Sequence, residues 1–282
     1  MIITKLNGGL GNQLFQIASA LSCAENLNTE LSVDISEFEK DKQHGGYRLK
    51  NLNFPNFKIY TPSPKERKVG KLVNKLPILQ YIFKGYTHEK GSEFNNIKNG
   101  KYLIGYWQNA ENFHQIFPKL KSYITPISLS KQNEDMRNEI ISGNSVSVHI
   151  RRGDYLSKET MKNHGVCSIE YYIKSFKKIL SIEKNVKFYI FSNDIDWCKK
   201  NLKSYINNQN THFISNNSQE VDLWLMSHCK HSIIANSSFS WWGAYLAQHS
   251  GQIVIAPTPW YEIKQRSSSD PSLRNWHRLE KL

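Results

Sequence analysis

The stretch SVSVHIRRGDYL, residues 145–156, carries the strongest fold signal in the chain. Its β-branched, apolar start and its charged end predict a buried strand that runs into a loop. Downstream, short apolar runs alternate with helical patterns. Strands are predicted at 146–150, 186–191, 212–214, 232–235 and 253–256, and helices at 169–180, 196–202, 219–229 and 239–247. This alternation predicts right-handed βαβ units and a Rossmann-like parallel sheet covered on both faces.

The first part of the chain begins in the same way and then loses its regularity. A strand at 2–6, a glycine loop, a helix at 13–28 and a strand at 31–35 are followed by a stretch rich in Asn, Lys, Gly and Pro. The next clear strand is predicted at 102–106. We therefore expect an α/β protein with an N-terminal domain at 1–135, which includes a basic insertion near 58–101, and a C-terminal domain at 136–282, with the junction near 129–143.

Composition restricts the class of protein. The chain has 282 residues, 39% of them apolar and 22% charged, which is enough to bury one large core or two medium ones. No stretch of about 18 apolar residues predicts a membrane-spanning helix, and the N-terminus lacks the pattern of a secretory signal. The four cysteines are far apart in sequence, so buried thiols are expected rather than zinc sites or disulfides. The expected compartment is the cytoplasm.

The net charge of +13 favours an anionic partner: nucleic acid, a membrane surface or a phosphorylated small molecule. Ten Lys and Arg against three Glu fall between residues 58 and 101. Within that segment, KERKVGKLVNKL at 65–76 spaces four apolar residues as a helix would, namely Val69, Leu72, Val73 and Leu76. An ordinary surface helix is favoured, because Gly70 weakens the helix and Pro77 ends it. The alternative is a basic amphipathic helix that lies on anionic lipid.

Four motifs carry the chemistry, and the first is NGGLGNQ at residues 7–13, between a strand and a helix. Glycines permit close backbone approach, and the following helix N-terminus offers N–H groups to an anion. The second motif is HIRRGD at 149–154. Strand alternation sends His149 and Arg151 to one side and Arg152 to the other. A guanidinium suits a diphosphate, whereas an Arg152–Asp154 ion pair that stabilises the loop is the alternative role.

The other two motifs also follow strands. FSND at 191–194 offers Asp194 as an acceptor for a ribose hydroxyl or a base amine. Asp194 and Asp196 form a DxD triplet, but Asp196 is better explained as a helix-capping carboxylate than as a metal ligand. ANSSFSWWGA at 235–244 combines hydroxyls with a helix start, which makes a phosphate cradle without lysine. Metal binding by the nearby His228, Cys229 and His231 is disfavoured.

The four motifs together, in this order, resemble the bacterial α-1,2-fucosyltransferases, within the superfamily of α-1,2-, α-1,6- and protein O-fucosyltransferases. The resemblance spans most of the chain. It implies a GT-B-type fold, with two Rossmann-like domains that face a cleft and GDP-fucose held mainly by the C-terminal domain. It also implies an inverting transfer that needs no metal or other cofactor.

The resemblance carries residue roles with it. Arg151 corresponds to the arginine that holds the diphosphate and stabilises the leaving GDP. Donor contacts are implied for Gly11, Asn12, Gln13, His149, Arg151, Ser192, Asn193, Asp194, Ser237, Ser238, Phe239 and Ser240. Inversion needs a base for the acceptor proton. Asp154 is the first candidate, Glu159 the second and His164 the third.

The predicted activity is transfer of L-fucose from GDP-β-L-fucose to the 2-hydroxyl of a terminal galactose, as in bacterial O-antigen biosynthesis. A lipid-linked acceptor would give the basic helix at 65–76 a purpose and place the enzyme peripherally at the inner face of the membrane. A superfamily relative with another acceptor or linkage is the alternative among enzymes. A nucleic-acid-binding protein is the alternative from another class, but no RNP aromatics, recognition helix or zinc spacing favours it, so no nucleic-acid partner is expected.

Overall fold

The computed structural model describes residues 1–39, 45–206, 210–263 and 270–281, with all side chains in these ranges except those of Asp154 and Glu159. The chain divides into two compact units, unit 1 at Met1–Ile127 and unit 2 at Ser128–Leu282. Each unit contains a parallel β-sheet. The α/β fold class with two Rossmann-like units is therefore confirmed.

Unit 1 is built on a five-stranded sheet in the order β3-β2-β1-β5-β4. Along the chain, the helices and strands of unit 1 are β1 (Ile2–Lys5), α1 (Leu10–Asn26), β2 (Leu31–Asp34), β3 (Lys58–Ile59), α2 (Pro64–Lys75), β4 (Tyr86–His88), β5 (Tyr102–Ile104) and α3 (Phe117–Tyr123). Helix α1 is almost wholly buried, because Leu14, Phe15 and Ile17 are each 0% exposed. The helix begins at Leu10 rather than at the predicted residue 13, so the glycine loop is shorter than expected.

The basic segment 58–101 is part of the unit 1 sheet, since it supplies β3 and β4. Neither strand was predicted, because both are short and β3 is exposed along its length. Helix α2 forms as expected, and Ser63 and Glu66 cap its N-terminus reciprocally. Val69 and Val73 pack into the core with Tyr102 and Ile104. Only two of the four apolar residues predicted to form one stripe therefore face inward.

Unit 2 is built on a six-stranded parallel sheet in the order β11-β10-β9-β6-β7-β8. The strands are β6 (Asn144–Ile150), β7 (Val186–Ser192), β8 (Thr211–Ile214), β9 (His231–Ile233), β10 (Val254–Thr258) and β11 (His277–Glu280). The helices are α4 (Lys131–Ser142), α5 (Lys158–Asn163), α6 (Ile169–Ile182), α7 (Ile195–Leu202), α8 (Gln219–Met226) and α9 (Ser238–Leu246). Residues 129–143, predicted as the junction, thus contain α4, whose Ile140 is buried beside Tyr189 and Leu225 in unit 2.

The order of the unit 2 strands indicates where a ligand crevice is expected. From β6 the chain adds β7 and β8 on one side, and it then returns to place β9 on the other side of β6. In open parallel sheets, ligands bind beyond the carboxyl ends of the strands at such a reversal. The HIRRGD motif follows β6 and the ANSSFS motif follows β9, so both lie at this point. Among the described residues, no helix is long and apolar enough to cross a membrane.

Candidate functional site

His149 is buried at the end of β6, with 3% of its surface exposed. Its ring packs against Phe239 of α9, with the ring centres 5.3 Å apart. Burial, with a smaller contribution from the Arg151 charge, lowers the pKa of His149 to about 3. The imidazole is therefore neutral at physiological pH. Its Nδ1 is buried and has no hydrogen-bond partner among the described residues.

Arg151 and Arg152 point to different partners, as the alternation predicts. The Arg151 guanidinium lies over the Tyr155 ring, 5.5 Å from its centre. The Tyr155 hydroxyl in turn donates to the carbonyl of Asn236, just past β9, at 3.2 Å. Arg151 is thereby placed at the reversal point between β6 and β9, and its predicted contact with a diphosphate stays a prediction.

Arg152 pairs with the FSND motif instead. Its Nε lies 3.5 Å from Asp194 Oδ2, and its guanidinium stacks 3.9 Å from the centre of the Trp197 ring. Asp194 is also the N-cap of α7, because Oδ1 accepts from the Trp197 N–H. The capping carboxylate is thus Asp194 rather than the predicted Asp196, which lies in the first turn of α7. Asp194 is held firmly, and its predicted contact with the nucleoside stays a prediction.

Ser192 and Asn193 tie the ends of β6 and β7 together. The Ser192 hydroxyl donates to the carbonyl of Ile150 at 2.8 Å, and Asn193 Oδ1 accepts from the Arg152 N–H at 3.0 Å. Gly153 permits this contact, because its φ is +33° and a Cβ there would lie 2.3 Å from Asn193 Nδ2. These polar groups fix the loop that carries the two arginines, which is a structural role beside any donor contact.

The ANSSFS motif begins α9, as predicted. Ser237 is the N-cap of the helix, and its hydroxyl accepts from the Phe239 N–H at 3.4 Å. Ser240 is fully buried, and its hydroxyl donates to the carbonyls of Ala235 and Ser237. Ser238, at the first position of the helix, is only partly buried. The helix N-terminus and its serines supply N–H and hydroxyl groups at one place, and Ser240 holds the turn from the buried side. The predicted phosphate contact of this motif stays a prediction.

Asn236, Glu262 and Lys281 form a polar cluster next to the His164 backbone, which we call the bracket. The Asn236 amide is 1% exposed, and its Nδ2 lies within hydrogen-bonding distance of the carbonyls of His164, Gly165 and Trp260. Lys281 is fully buried, donates to the His164 carbonyl at 2.5 Å and pairs with Glu262 at 2.9 Å. The His164 ring lies 5.4 Å from the Tyr155 ring. The bracket therefore positions the base candidate His164 beside the aromatic ring that supports Arg151.

The comparison with known proteins decides the family. A sequence profile of glycosyl transferase family 11 matches residues 1–280, almost the whole chain. The chain belongs to glycosyl transferase family 11. Two relatives come from Escherichia coli. An alpha-1,2-colitosyltransferase is 40% identical over 100% of this chain and 99% of its own length. The O-antigen biosynthesis glycosyltransferase WbnK is 32% identical over 93% of this chain and 95% of its own length.

Solved structures show the same fold. The fucosyltransferase NodZ from Bradyrhizobium superposes with a TM-score of 0.54, and a NodZ alpha-1,6-fucosyltransferase crystal soaked with GDP-fucose superposes with 0.53. Both matches cover 87% of this chain, and 92% and 91% of theirs, at 14% identity. The predicted family resemblance is confirmed, and the chain is a glycosyltransferase.

The family 11 glycine motif of unit 1 lies in and before the first turn of α1. Gln13 is fully buried, donates to the carbonyls of Gly8 and Gly46 and accepts from the Arg48 N–H. It braces the loop from inside the unit. Asn12 Oδ1 accepts from Gln108 Nε2 at 2.9 Å. The donor contacts expected of Gly11, Asn12 and Gln13 stay predictions.

The family 11 base candidates differ in what the structure describes. The side chains of Asp154 and Glu159 lie outside the described residues, although their backbones belong to a 3-10 helix at Gly153–Leu156 and to α5. The His164 ring lies between Tyr155 and Tyr261, with ring centres 5.4 and 5.3 Å away. The structure therefore places His164 in the aromatic cluster next to Arg151.

Sequence reasoning missed three groups in unit 2. Asn236 belongs to the motif ANSSFSWWGA, but its hydrogen bonds join segments that are far apart in sequence. Lys281 and Glu262 lie near the C-terminus, where a lysine is normally expected in solvent. Asp222, in the first turn of α8, accepts from Asn217 Nδ2, and burial raises its pKa to about 6. Among the described side chains, no group of three or more His, Cys, Asp or Glu could hold a metal ion.

Proposed function

We propose that this family 11 glycosyltransferase moves L-fucose from GDP-β-L-fucose to the 2-hydroxyl of a terminal galactose on a bacterial glycan, without a metal. One observation carries the donor assignment: Arg151 and the N-terminus of α9 converge where the strand order of unit 2 reverses. A guanidinium donates two parallel hydrogen bonds to a diphosphate, and serine hydroxyls with helix N–H groups add further donors. That set of donors supplies the positive potential for which other transferases use a metal ion.

The proposed chemistry is a single displacement at the anomeric carbon. The acceptor oxygen forms a bond to C1 of fucose from the face opposite the phosphate, the bond from C1 to the phosphate oxygen breaks, and GDP leaves. Arg151 stabilises the negative charge that grows on the leaving diphosphate. The acceptor proton passes to a base, for which Asp154, Glu159 and His164 are the candidates. The β-linked donor thereby gives an α-linked product.

The donor sugar has a second candidate. The name of the relative that is 40% identical refers to colitosyl transfer, and colitose is L-fucose without its 3-hydroxyl. A donor site that hydrogen-bonds the 3-hydroxyl would discriminate strongly between the two sugars, because the lost contact leaves a polar group unpaired. The fold match to NodZ, whose crystal was soaked with GDP-fucose, makes GDP-fucose the first donor to test.

The rest of the proposal concerns the arrangement and the setting. It includes a GT-B-type fold and donor contacts by Gly11 and Asn12 of the glycine motif, with the buried Gln13 holding the loop that carries them. It includes further donor contacts by His149, Asp194, Ser237, Ser238 and Phe239. The acceptor is a galactose-terminated glycan precursor, in keeping with the relative named for O-antigen biosynthesis. The enzyme is expected to act in the cytoplasm.

The first experiment is a thermal-shift titration with GDP and GDP-fucose in EDTA. Ligand at about 100 times its Kd stabilises a protein by about 2.7 kcal/mol, which raises the Tm of a domain of this size by about 5–10 °C. We expect Arg151→Ala to lose most of this shift. Arg274→Ala is the matched control, because Arg274 is exposed and lies just before β11, away from the carboxyl ends of the strands.

The outcomes separate the parts of the proposal. A shift that appears in EDTA and is lost only in Arg151→Ala supports a metal-free diphosphate site. If folded wild-type protein shows no shift with either ligand, the donor assignment is wrong. Product formation on lactose, compared between GDP-fucose and GDP-colitose as donors, then tests the sugar. A product without a 2-linked sugar would contradict the proposed linkage.

A further inference from the structure

Unit 1 exposes a group of large apolar side chains that its core does not use. They follow the outer side of α2 and the 3-10 helix Pro77–Tyr81 after it. Their exposed fractions are Leu72 40%, Leu76 52%, Ile78 68%, Tyr81 63% and Ile82 70%. We call these five residues the α2 surface. Single exposed apolar residues are ordinary, but five within eleven positions of sequence are a concentration of exposed apolar side chains, and such concentrations are typical of interaction sites.

Apolar residues that neighbour those of the α2 surface pack into the core of unit 1. Leu79 and Phe83, which alternate with the exposed residues, pack against the core that contains Val73. The buried Gln80 side chain accepts from the His88 N–H at 3.0 Å and from the Ser92 hydroxyl at 2.7 Å. The backbone is thus held in place while Ile78, Tyr81 and Ile82 face solvent. Holding the segment in this way lowers the entropy that docking would cost.

The segment that carries the α2 surface is predominantly positive. Residues 64–84 contain six cations, at Lys65, Arg67, Lys68, Lys71, Lys75 and Lys84, and one acid, Glu66. Glu66 is already engaged, because it caps α2 and accepts from the Tyr60 hydroxyl. Lys68 and Lys75 stand four residues before and three residues after Leu72, so both lie beside it on the helix. The five lysines are exposed.

We propose that the α2 surface docks the enzyme on an anionic lipid bilayer. Lysine is depleted from the cores of protein–protein interfaces, whereas lysines around exposed Leu, Ile and Tyr are typical of membrane surfaces. Their long stems reach the headgroups while the apolar side chains enter the boundary of the acyl chains. The surface differs from the stripe predicted for residues 65–76, because Val69 and Val73 are in the core and residues 78–82 take their place.

The test is flotation of the full chain with vesicles of phosphatidylcholine alone or with about one-third phosphatidylglycerol. We expect binding to the anionic vesicles. Ile78→Ser with Ile82→Ser should reduce the bound-to-free ratio more than tenfold. Lys68→Gln with Lys75→Gln should reduce it by about fivefold per lysine. The matched control is Ile141→Ser with Ile182→Ser, which removes two isoleucines from unit 2 that are 51% and 48% exposed, and it should bind like the wild type.

Several results would overturn the proposal. These are no binding to anionic vesicles, equal binding to neutral vesicles, or equal losses in the control. Concentration-dependent dimerisation that needs Ile78 and Ile82, without vesicle binding, would assign the surface to a second copy of the chain instead. All replaced residues are exposed, so the variants should melt at the wild-type temperature. Because the readout is lipid binding, its failure leaves the donor experiment unaffected.

Discussion

Replacing Lys281 by methionine removes the one ammonium of the bracket and keeps most of the volume of the side chain. Lys281 is 0% exposed, pairs with Glu262 at 2.9 Å and donates to the carbonyls of His164 and Trp260. Breaking a fully buried ion pair costs about 3–5 kcal/mol. Glu262 keeps 29% of its side chain exposed, so water can solvate part of the carboxylate left behind. We therefore expect a loss of about 2–3 kcal/mol in the free energy of unfolding.

Urea unfolding of wild type, Lys281→Met, Glu262→Gln and the double variant would measure this. A loss of that size corresponds to a Tm lower by about 5–10 °C. The double variant should be less unstable than the sum of the single variants, with a coupling of about 1 kcal/mol or more. Lys281→Arg should not restore stability, because a fully buried site shaped for an ammonium has no room for a guanidinium. A Lys281→Met variant as stable as wild type, or additive single losses, would refute the reasoning.

Two further predictions concern the loop after β6 and His149 before it. Gly153→Ala places a Cβ 2.3 Å from Asn193 Nδ2 at a φ of +33°, so it should cost about 2–3 kcal/mol. Gly251→Ala, where φ is +78° and nothing lies within 4 Å, should cost only about 1 kcal/mol, and equal costs would contradict the steric explanation. Because the pKa of His149 is about 3 in the folded protein, against an ordinary value of 6.5, unfolding takes up a proton between these values and stability falls as the pH falls through that range. Wild type should lose about 1.4 kcal/mol per pH unit more than His149→Phe between pH 6 and pH 4, measured by urea unfolding, and parallel profiles would show that His149 is not held neutral.

The central strands of the unit 2 sheet, β6, β7, β9 and β10, were predictable because they are almost wholly buried. The runs VSVHI at 146–150 and VKFYIF at 186–191 are rich in β-branched and aromatic residues, and α6, which lies between them, has a clear apolar stripe. The motifs at the strand ends then predicted that Arg151 and the start of α9 would lie at one edge. The alternation rule also separated Arg151 from Arg152 correctly.

Other parts could not be predicted, for identifiable reasons. Strand β4 has three residues and β11 has the sequence HRLE, so neither shows an apolar run. The contact of Lys281 with His164 spans 117 positions of sequence, and no local pattern reports it. Asp194 caps α7 instead of the predicted Asp196, because the helix begins one residue earlier than expected. A shift of one residue is within the ordinary uncertainty of helix ends.

The sheet of unit 1 cannot be completed in the order in which its strands are synthesised. Strand β5 lies between β1 and β4, with Ile3 paired to Tyr102 and Tyr86 also paired to Tyr102. Strand β4 therefore cannot pair within the sheet until β5 has been synthesised, although the basic segment that contains β4 is translated earlier. Such long-range closure slows folding and leaves a strand edge open to aggregation in the meantime. Unit 2, by contrast, grows outward from β6 on each side, so its sheet can assemble strand by strand as the chain lengthens.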